Sequence, residues 1–123
     1  MTTCPCGSGE PYESCCGRYH LGEAQPPTAV TLMRARYTAF ARGEEEFLAS
    51  TWHPSTLPRG PLVDPSLSWV GLHVTAQTGG GLLDATATVR FTARYLRAGV
   101  PGRLTETSRF TRLRGRWTYL GPT

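Results

Sequence analysis

The chain has 123 residues, 39% of them hydrophobic, with three Trp, five Tyr and four Phe, and a formal net charge of +4. That length and apolar content suit one modest core and exclude two independent ones. All 13 basic residues are Arg, scattered from Arg18 to Arg116 without a dense run, which argues against nucleic-acid binding. No stretch approaches the ~18 apolar residues that cross a membrane. The N-terminal residues lack the basic and apolar segments of a secretory leader. The expectation is a soluble, cytoplasmic protein.

Residues 1–24 hold all four cysteines, Cys4, Cys6, Cys15 and Cys16, and almost no hydrophobic periodicity; Tyr12, Tyr19 and Leu21 are their other large apolar side chains. Such a segment buries no core of its own, so a metal is expected to hold it. Gln25-Pro26-Pro27 reads as a stiff linker to a second unit, residues 25–123. Thr28 then serves as an N-cap. Val30, Met33, Tyr37, Phe40 and Ala41 recur at helical steps and predict one apolar stripe, with Arg34, Arg36, Thr38 and Arg42 largely off it. Gly43 punctuates the helix end. Glu44-Glu45-Glu46 opens a shorter helix, in which the acidic trio reads as a solvated first turn. Phe47, Leu48 and Trp52 are its buried positions, and His53-Pro54 closes it.

A proline-rich loop, residues 54–66, leads to β structure. Strands are predicted over 68–76, 83–96, 104–113 and 116–120. Between them lie turns at Thr78-Gly79-Gly80-Gly81, at Ala98-Gly99-Val100-Pro101-Gly102 and at Arg114-Gly115. Ala85, Ala87, Val89, Phe91, Ala93 and Tyr95 share one face, and the alternate residues are polar or charged. In the third strand Leu104, Glu106, Ser108, Phe110 and Arg112 fall in one phase. Such alternation predicts an antiparallel sheet with one buried side. Helices first and a four-stranded meander after make an α+β fold, with the helices packed on one face of a curved sheet.

The cysteines come as Cys-x-Cys and Cys-Cys rather than the commoner Cys-x-x-Cys. Glycines at 7, 9 and 17 permit the sharp turns that such tight spacings need. In a reducing cytoplasm, paired cysteines point to metal ligation, and four thiolates make a closed, structural zinc site. The alternatives at this level are a disulfide, a Cys-x-Cys redox pair, an iron–sulfur site, and His20 in place of one thiolate.

Cys4-Pro5-Cys6-Gly7-Ser8-Gly9 followed by Tyr12-Glu13-Ser14-Cys15-Cys16-Gly17 resembles the SEC-C zinc motif, found also in the tail of the bacterial preprotein translocase motor. There it binds zinc and contacts a secretion chaperone and ribosomes. The resemblance implies zinc at Cys4, Cys6, Cys15 and Cys16 and a possible protein or ribosomal partner. Further segments extend the likeness over nearly the whole chain: 32–40, 51–54, 69–72, 89–95 and 115–120. With the motif they resemble the uncharacterised YchJ-like family, an N-terminal SEC-C motif followed by a nuclear transport factor 2-like (NTF2-like) domain. The implied fold is a cone, with a curved sheet wrapped around helices and often a central pocket.

Candidates to line that pocket are Tyr37, Phe40, Trp52, His53, Trp69, Phe91, Tyr95 and Trp117. Its titrating groups are expected among His53, His73 and Asp64, with Arg94 or Arg109 to hold an anion. His53 also reads as a helix-end residue and His73 as a polar-face one. No nucleophile–base–acid set and no phosphate loop is legible, and the residues name no reaction. Two readings stand. The first is a zinc-stabilised adaptor presenting Arg18 and His20, with the cone adding a ligand or dimerisation surface. The second is a small-molecule binder or a dehydratase- or isomerase-like enzyme using the pocket. A roomy pocket with His53 beside a carboxylate favours the second; a pocket plugged by Trp69, Tyr95 and Trp117 favours the first.

Overall fold

The computed structural model describes residues 3–123. Met1 and Thr2, the first residues of the expected 1–24 unit, lie outside the described residues. A short 3-10 turn at Tyr12–Ser14 precedes helix α1 (Cys16–His20). Helices α2 (Ala29–Arg42) and α3 (Glu45–Ser50) follow, then strands β1 (Leu67–Gly79), β2 (Thr86–Arg97), β3 (Val100–Leu113) and β4 (Arg116–Pro122). The strands form one antiparallel sheet in the order β1-β2-β3-β4.

Local chemistry sets the ends of α2. The Thr28 hydroxyl accepts from the Thr31 N–H at 3.1 Å, and Gly43 takes a left-handed conformation (φ 78°) while its N–H donates to the Ala39 carbonyl. That conformation is accessible to glycine at little cost. The trio of glutamates does more than solvate a helix start. The Glu45 carboxylate accepts from the N–H groups of Leu62 (3.0 Å) and Val63 (2.7 Å), pinning the proline-rich loop.

The largest departure from expectation is the second buried face of α2. Thr38, expected off the apolar stripe, is 0% exposed on that face; Arg36, also expected off the stripe, is 5% exposed but lies on the sheet side. Met33, Tyr37 and Phe40 face the sheet, as the stripe predicts. The opposite side carries the cysteine segment, and Cys4, Cys6 and Cys16 join the same buried core as Leu32 and Ala35. The N-terminal segment therefore packs on α2 rather than swinging on its linker. It borrows a core as well as offering a metal site.

Curvature comes from irregularities in the ladder. Register shifts occur at Trp69/Gly71 and Val74/Ala76 in β1, and opposite Arg109/Phe110 of β3, where β4 carries the extra residue Leu120. Each is a bulge, which bends a strand and increases its twist. Ala87, Val89, Phe91 and Ala93 of β2 are buried on the concave side, as their alternation predicts. The expected turn 98–102 is shorter than read: only Ala98 and Gly99, both at positive φ, make it, and Val100, Pro101 and Gly102 already pair with β2. Pro101 is tolerated because β4 pairs only with residues 108–113 of β3, leaving an open edge at Pro101. Gly102 is required because the Tyr95 ring lies on it; a Cβ there would sit 2.5 Å from that ring.

After α3 the chain runs beside β4. The His53 N–H donates to the Tyr119 carbonyl and the Tyr119 N–H to the Thr51 carbonyl, both at 2.8 Å. This bridge ties the helical layer to the last strand and closes one side of the cone.

Candidate functional site

The cysteine turn is organised by backbone bonds: the Cys4 N–H donates to the Glu10 carbonyl (2.8 Å) and the Gly7 N–H to the Cys4 carbonyl (3.2 Å). The Sγ atoms of Cys4, Cys6, Cys15 and Cys16 all lie within 4.8 Å of one another. Cys6 Sγ and Cys15 Sγ are 3.7 Å apart. A tetrahedral ion with bonds of about 2.3 Å places its sulfurs about 3.8 Å apart, so the set comes within about 1 Å of the spacing that such an ion needs. It does not fit a disulfide, whose sulfurs sit ~2.05 Å apart, and all four thiols are free.

Electrostatics point the same way. The Cys6 thiol is pulled down to about 4 by the bond from Cys16, against its burial and with help from Ser8. The Cys16 thiol is pushed far up by its bond with Cys6 and by burial. Four sulfurs this close do not all ionise unless a cation sits among them. Hydroxyls complete the surroundings: Ser8 Oγ lies 3.2 Å from Cys15 Sγ, and the Thr38 hydroxyl donates to Cys16 Sγ at 3.3 Å. Arg34 Nη1 donates to the Cys6 carbonyl at 2.9 Å. Replacing Thr38 with valine keeps the shape and removes the donor. Metal affinity is expected to fall roughly tenfold or more, read by competition with a chromogenic chelator, with helix content unchanged.

His20 is not part of this set. Its Nδ1 lies 2.7 Å from the Tyr12 hydroxyl and its Nε2 2.8 Å from the Ala35 carbonyl, so Nε2–H donates to the carbonyl and Nδ1 accepts from the phenol. Burial lowers its pKa and keeps it neutral in this role. The Arg42 guanidinium stacks 3.7 Å over the Tyr12 ring. His20, Tyr12 and Arg42 thus clamp the cysteine segment to α2, and both ring nitrogens of His20 are engaged within the chain while the residue borders the groove near Leu21 and Phe47. Gly17 belongs to the same clamp: a Cβ there would meet the Tyr12 carbonyl oxygen at 2.7 Å. Gly17→Ala is expected to cost about 1–3 kcal/mol, measurable by urea unfolding of the metal-loaded protein.

The second feature is a cavity of ≈ 280 Å³ between α2 and the concave face of the sheet. Of the eight pocket candidates, Tyr37, Phe40, Trp52, Trp69 and Phe91 line it, joined by Phe110 and Leu104. His53, Tyr95 and Trp117 do not. The His53 backbone is engaged by β4, and its Nδ1 accepts from the Ser55 N–H at 3.1 Å. Tyr95 packs on Gly102 and edge-on to Trp69. Trp117, 3% exposed, borders a separate groove near Tyr19, Leu21 and Phe47. The remaining expected titrating and anion-holding groups also lie elsewhere. Asp64 is exposed, bonded to Ser66 and 3.6 Å from Arg97. His73 and Arg94 border a shallow groove on the outer face, and Arg109 is exposed.

The polar groups that do line the cavity are Arg36, Glu106, Ser108 and Tyr119. Glu106 Oε2 accepts from the Ser108 hydroxyl and from the Tyr119 hydroxyl at 2.9 Å. Burial and the Glu106 carboxylate push the Tyr119 phenol far up, so it stays a donor. Arg36 Nη1 donates to the Leu48 carbonyl (3.0 Å) and to Thr51 Oγ1 (2.8 Å). Its guanidinium stacks 4.8 Å from the Trp52 ring centre and 4.5 Å from that of Tyr119. Burial pulls it down to about 10, which leaves it charged at neutral pH. Sequence reasoning missed this group, although one signal was present: Glu106 and Ser108 stand in phase with Leu104 and Phe110 on β3.

Comparisons with known proteins give a consistent result. A family model described as YchJ, middle NTF2-like domain, matches residues 28–122, and a SEC-C motif model matches residues 2–18. A UPF0225 protein of Streptomyces avermitilis is 47% identical over 118 residues, covering 96% of this chain and 81% of that protein. One from Cupriavidus metallidurans is 51% identical over 108 residues, covering 87% and 74%. Two solved structures are similar. The solution structure of a SEC-C motif containing protein from Rhodopseudomonas palustris has a TM-score of 0.82 at 29% identity, covering 98% of this chain and 96% of that one. The crystal structure of a SEC-C motif containing protein from Psychrobacter arcticus has a TM-score of 0.81 at 28% identity, covering 100% and 82%.

Proposed function

The chain belongs to the YchJ-like family, a SEC-C motif joined to an NTF2-like domain, and from that premise we propose that it is a small-molecule-binding protein whose cysteine cluster holds one structural zinc ion. The observation that carries the binding role is the open, aromatic-walled cavity with its polar groups gathered at Glu106. A cavity lined by apolar side chains with a few convergent polar groups is the usual form of a ligand site. Trp69 borders this space without filling it, and neither Tyr95 nor Trp117 enters it.

Zinc is the ion that the donor set suits best. Four thiolates in tetrahedral reach complete its shell, leaving no open position for water or substrate. When bound, the ion holds the four thiolates together and neutralises part of their charge. Arg34, Thr38 and Ser8 orient the ligands and their backbone, and the Tyr12–His20 clamp keeps the segment on α2. Thiols reserved for a metal fit a reducing cytoplasm.

The cavity reading is tested by filling it. Ala93 is 2% exposed on the cavity wall. Ala93→Phe should remove a small molecule that accompanies the native protein through gentle purification, or abolish binding of an added naphthalene-sized probe. Equal binding by the two proteins would refute the reading.

An adaptor role for a protein or ribosomal partner is a second reading, supported by the groove beside the cysteine segment. Tyr19, Leu21, Pro26, Phe47 and Trp117 border it, with Arg114 and Arg116 at its rim, and Leu21 is 72% exposed. Leu21→Asp should then release a partner that the intact chain retains.

A further inference from the structure

We infer that the cavity selects neutral, flat, roughly bicyclic molecules carrying one hydrogen-bond donor, and that Glu106 Oε1 receives that donor. The inference rests on the binding role proposed above and names the ligand class for the same site.

Size comes first. A cavity of about 150 Å³ holds benzene, so ≈ 280 Å³ suits a molecule of roughly a dozen non-hydrogen atoms. Shape follows from the walls. Tyr37, Phe40, Trp52, Trp69, Phe91 and Phe110 present aromatic surfaces, which favour flat rings through stacked or edge-on contact.

Polarity is set by one carboxylate. Its Oε2 is occupied by the Ser108 and Tyr119 hydroxyls, while Oε1 accepts no bond among the described residues. A carboxylate held this way, on the wall of an apolar space, calls for a donor from whatever enters. The donating hydroxyls fix the side chain, so its free oxygen is already oriented.

Charge narrows the class further. Arg36 and Glu106 line the same cavity, and both Arg36 contacts with Leu48 and Thr51 use Nη1. Together the two side chains are neutral. A cationic ligand would meet the Arg36 charge, and an anionic one would meet Glu106, each between aromatic walls that screen charge less than water does. A neutral O–H or N–H donor, as in a phenol or an aromatic heterocycle, meets neither objection.

The experiment is isothermal titration calorimetry of the metal-loaded chain at pH 7 with four naphthalene probes. They are 2-naphthol, its methyl ether, 2-naphthoate and 2-naphthylmethylammonium. The naphthol should bind at least about tenfold more tightly than the ether, which lacks the donor, and more tightly than either ion. Glu106→Leu should bring the naphthol down to the ether's affinity. The native-protein series alone decides the matter if that variant fails to fold. Equal binding of naphthol and ether, or tightest binding by a charged probe, overturns the inference while leaving the cavity reading intact. Absence of binding by all four overturns both.

Discussion

Replacing Cys15 and Cys16 with serine is expected to abolish metal binding and release residues 3–24 from α2. Metal content should fall from about one ion per chain to near zero, and a strong chelator should reproduce the effect on the native protein. The expected size follows from how the segment is held. Zinc binding to a four-cysteine site contributes on the order of 10 kcal/mol to the folded form. The cysteines are also core residues: Cys4, Cys6 and Cys16 are 4%, 1% and 2% exposed against α2. Once they move, Thr38 loses its sulfur acceptor, the Ala35 carbonyl loses His20, and the second face of α2 is bared. Hydrogen exchange should therefore rise in residues 3–24 and along that face, while the β2–β3 ladder stays protected. Full metal occupancy in the double variant would refute the ligand assignment.

The second large effect is expected at Arg36. Arg36→Leu should cost about 2–4 kcal/mol, read as a lower urea midpoint. Leucine leaves the Leu48 carbonyl and the Thr51 hydroxyl without their donor and strips the Glu106 carboxylate of its compensating charge. It also removes the flat cation packed against both the Trp52 and Tyr119 rings. Arg36→Lys should recover little, because an ammonium neither stacks as a plane nor repeats the fixed directions of a guanidinium. A leucine variant as stable as the native chain would show that these contacts contribute nothing net. The naphthol series reads the same end of the cavity, since weakened Arg36 packing displaces Tyr119 and with it the orientation of Glu106.

Where local rules decide, the sequence was readable. Thr28 and Gly43 bound α2 because a hydroxyl cap and a left-handed glycine act within one turn. The alternation from Ala87 to Ala93 predicted the buried face of β2, and Arg114-Gly115 the last hairpin. The cysteine spacing showed a quartet because thiolates so near in sequence are near in space. The errors arose where distant segments meet. Thr38 looked solvent-facing, since helical periodicity shows that a face is apolar but not that a second segment will cover the other; Arg36 looked solvent-facing by its charge, although it lies three residues after Met33 and four before Phe40 on the sheet side. His53 looked available, yet a bridge between residues 51–53 and Tyr119 holds its backbone. Polar residues drew attention by type, histidine and aspartate in loops, while Glu106 passed as one position in an alternating strand.

By itself, then, the chain determined its elements, their order and the existence of a four-cysteine site, because each depends on contacts within a few residues. Only the tertiary structure decided that the cysteine segment docks on α2, and that Arg36 and Glu106 meet across a cavity. Those outcomes depend on strand register, on the bulges that bend β1 and β4, and on which faces remain uncovered when the layers close. None of these is encoded in the spacing of residues along the chain.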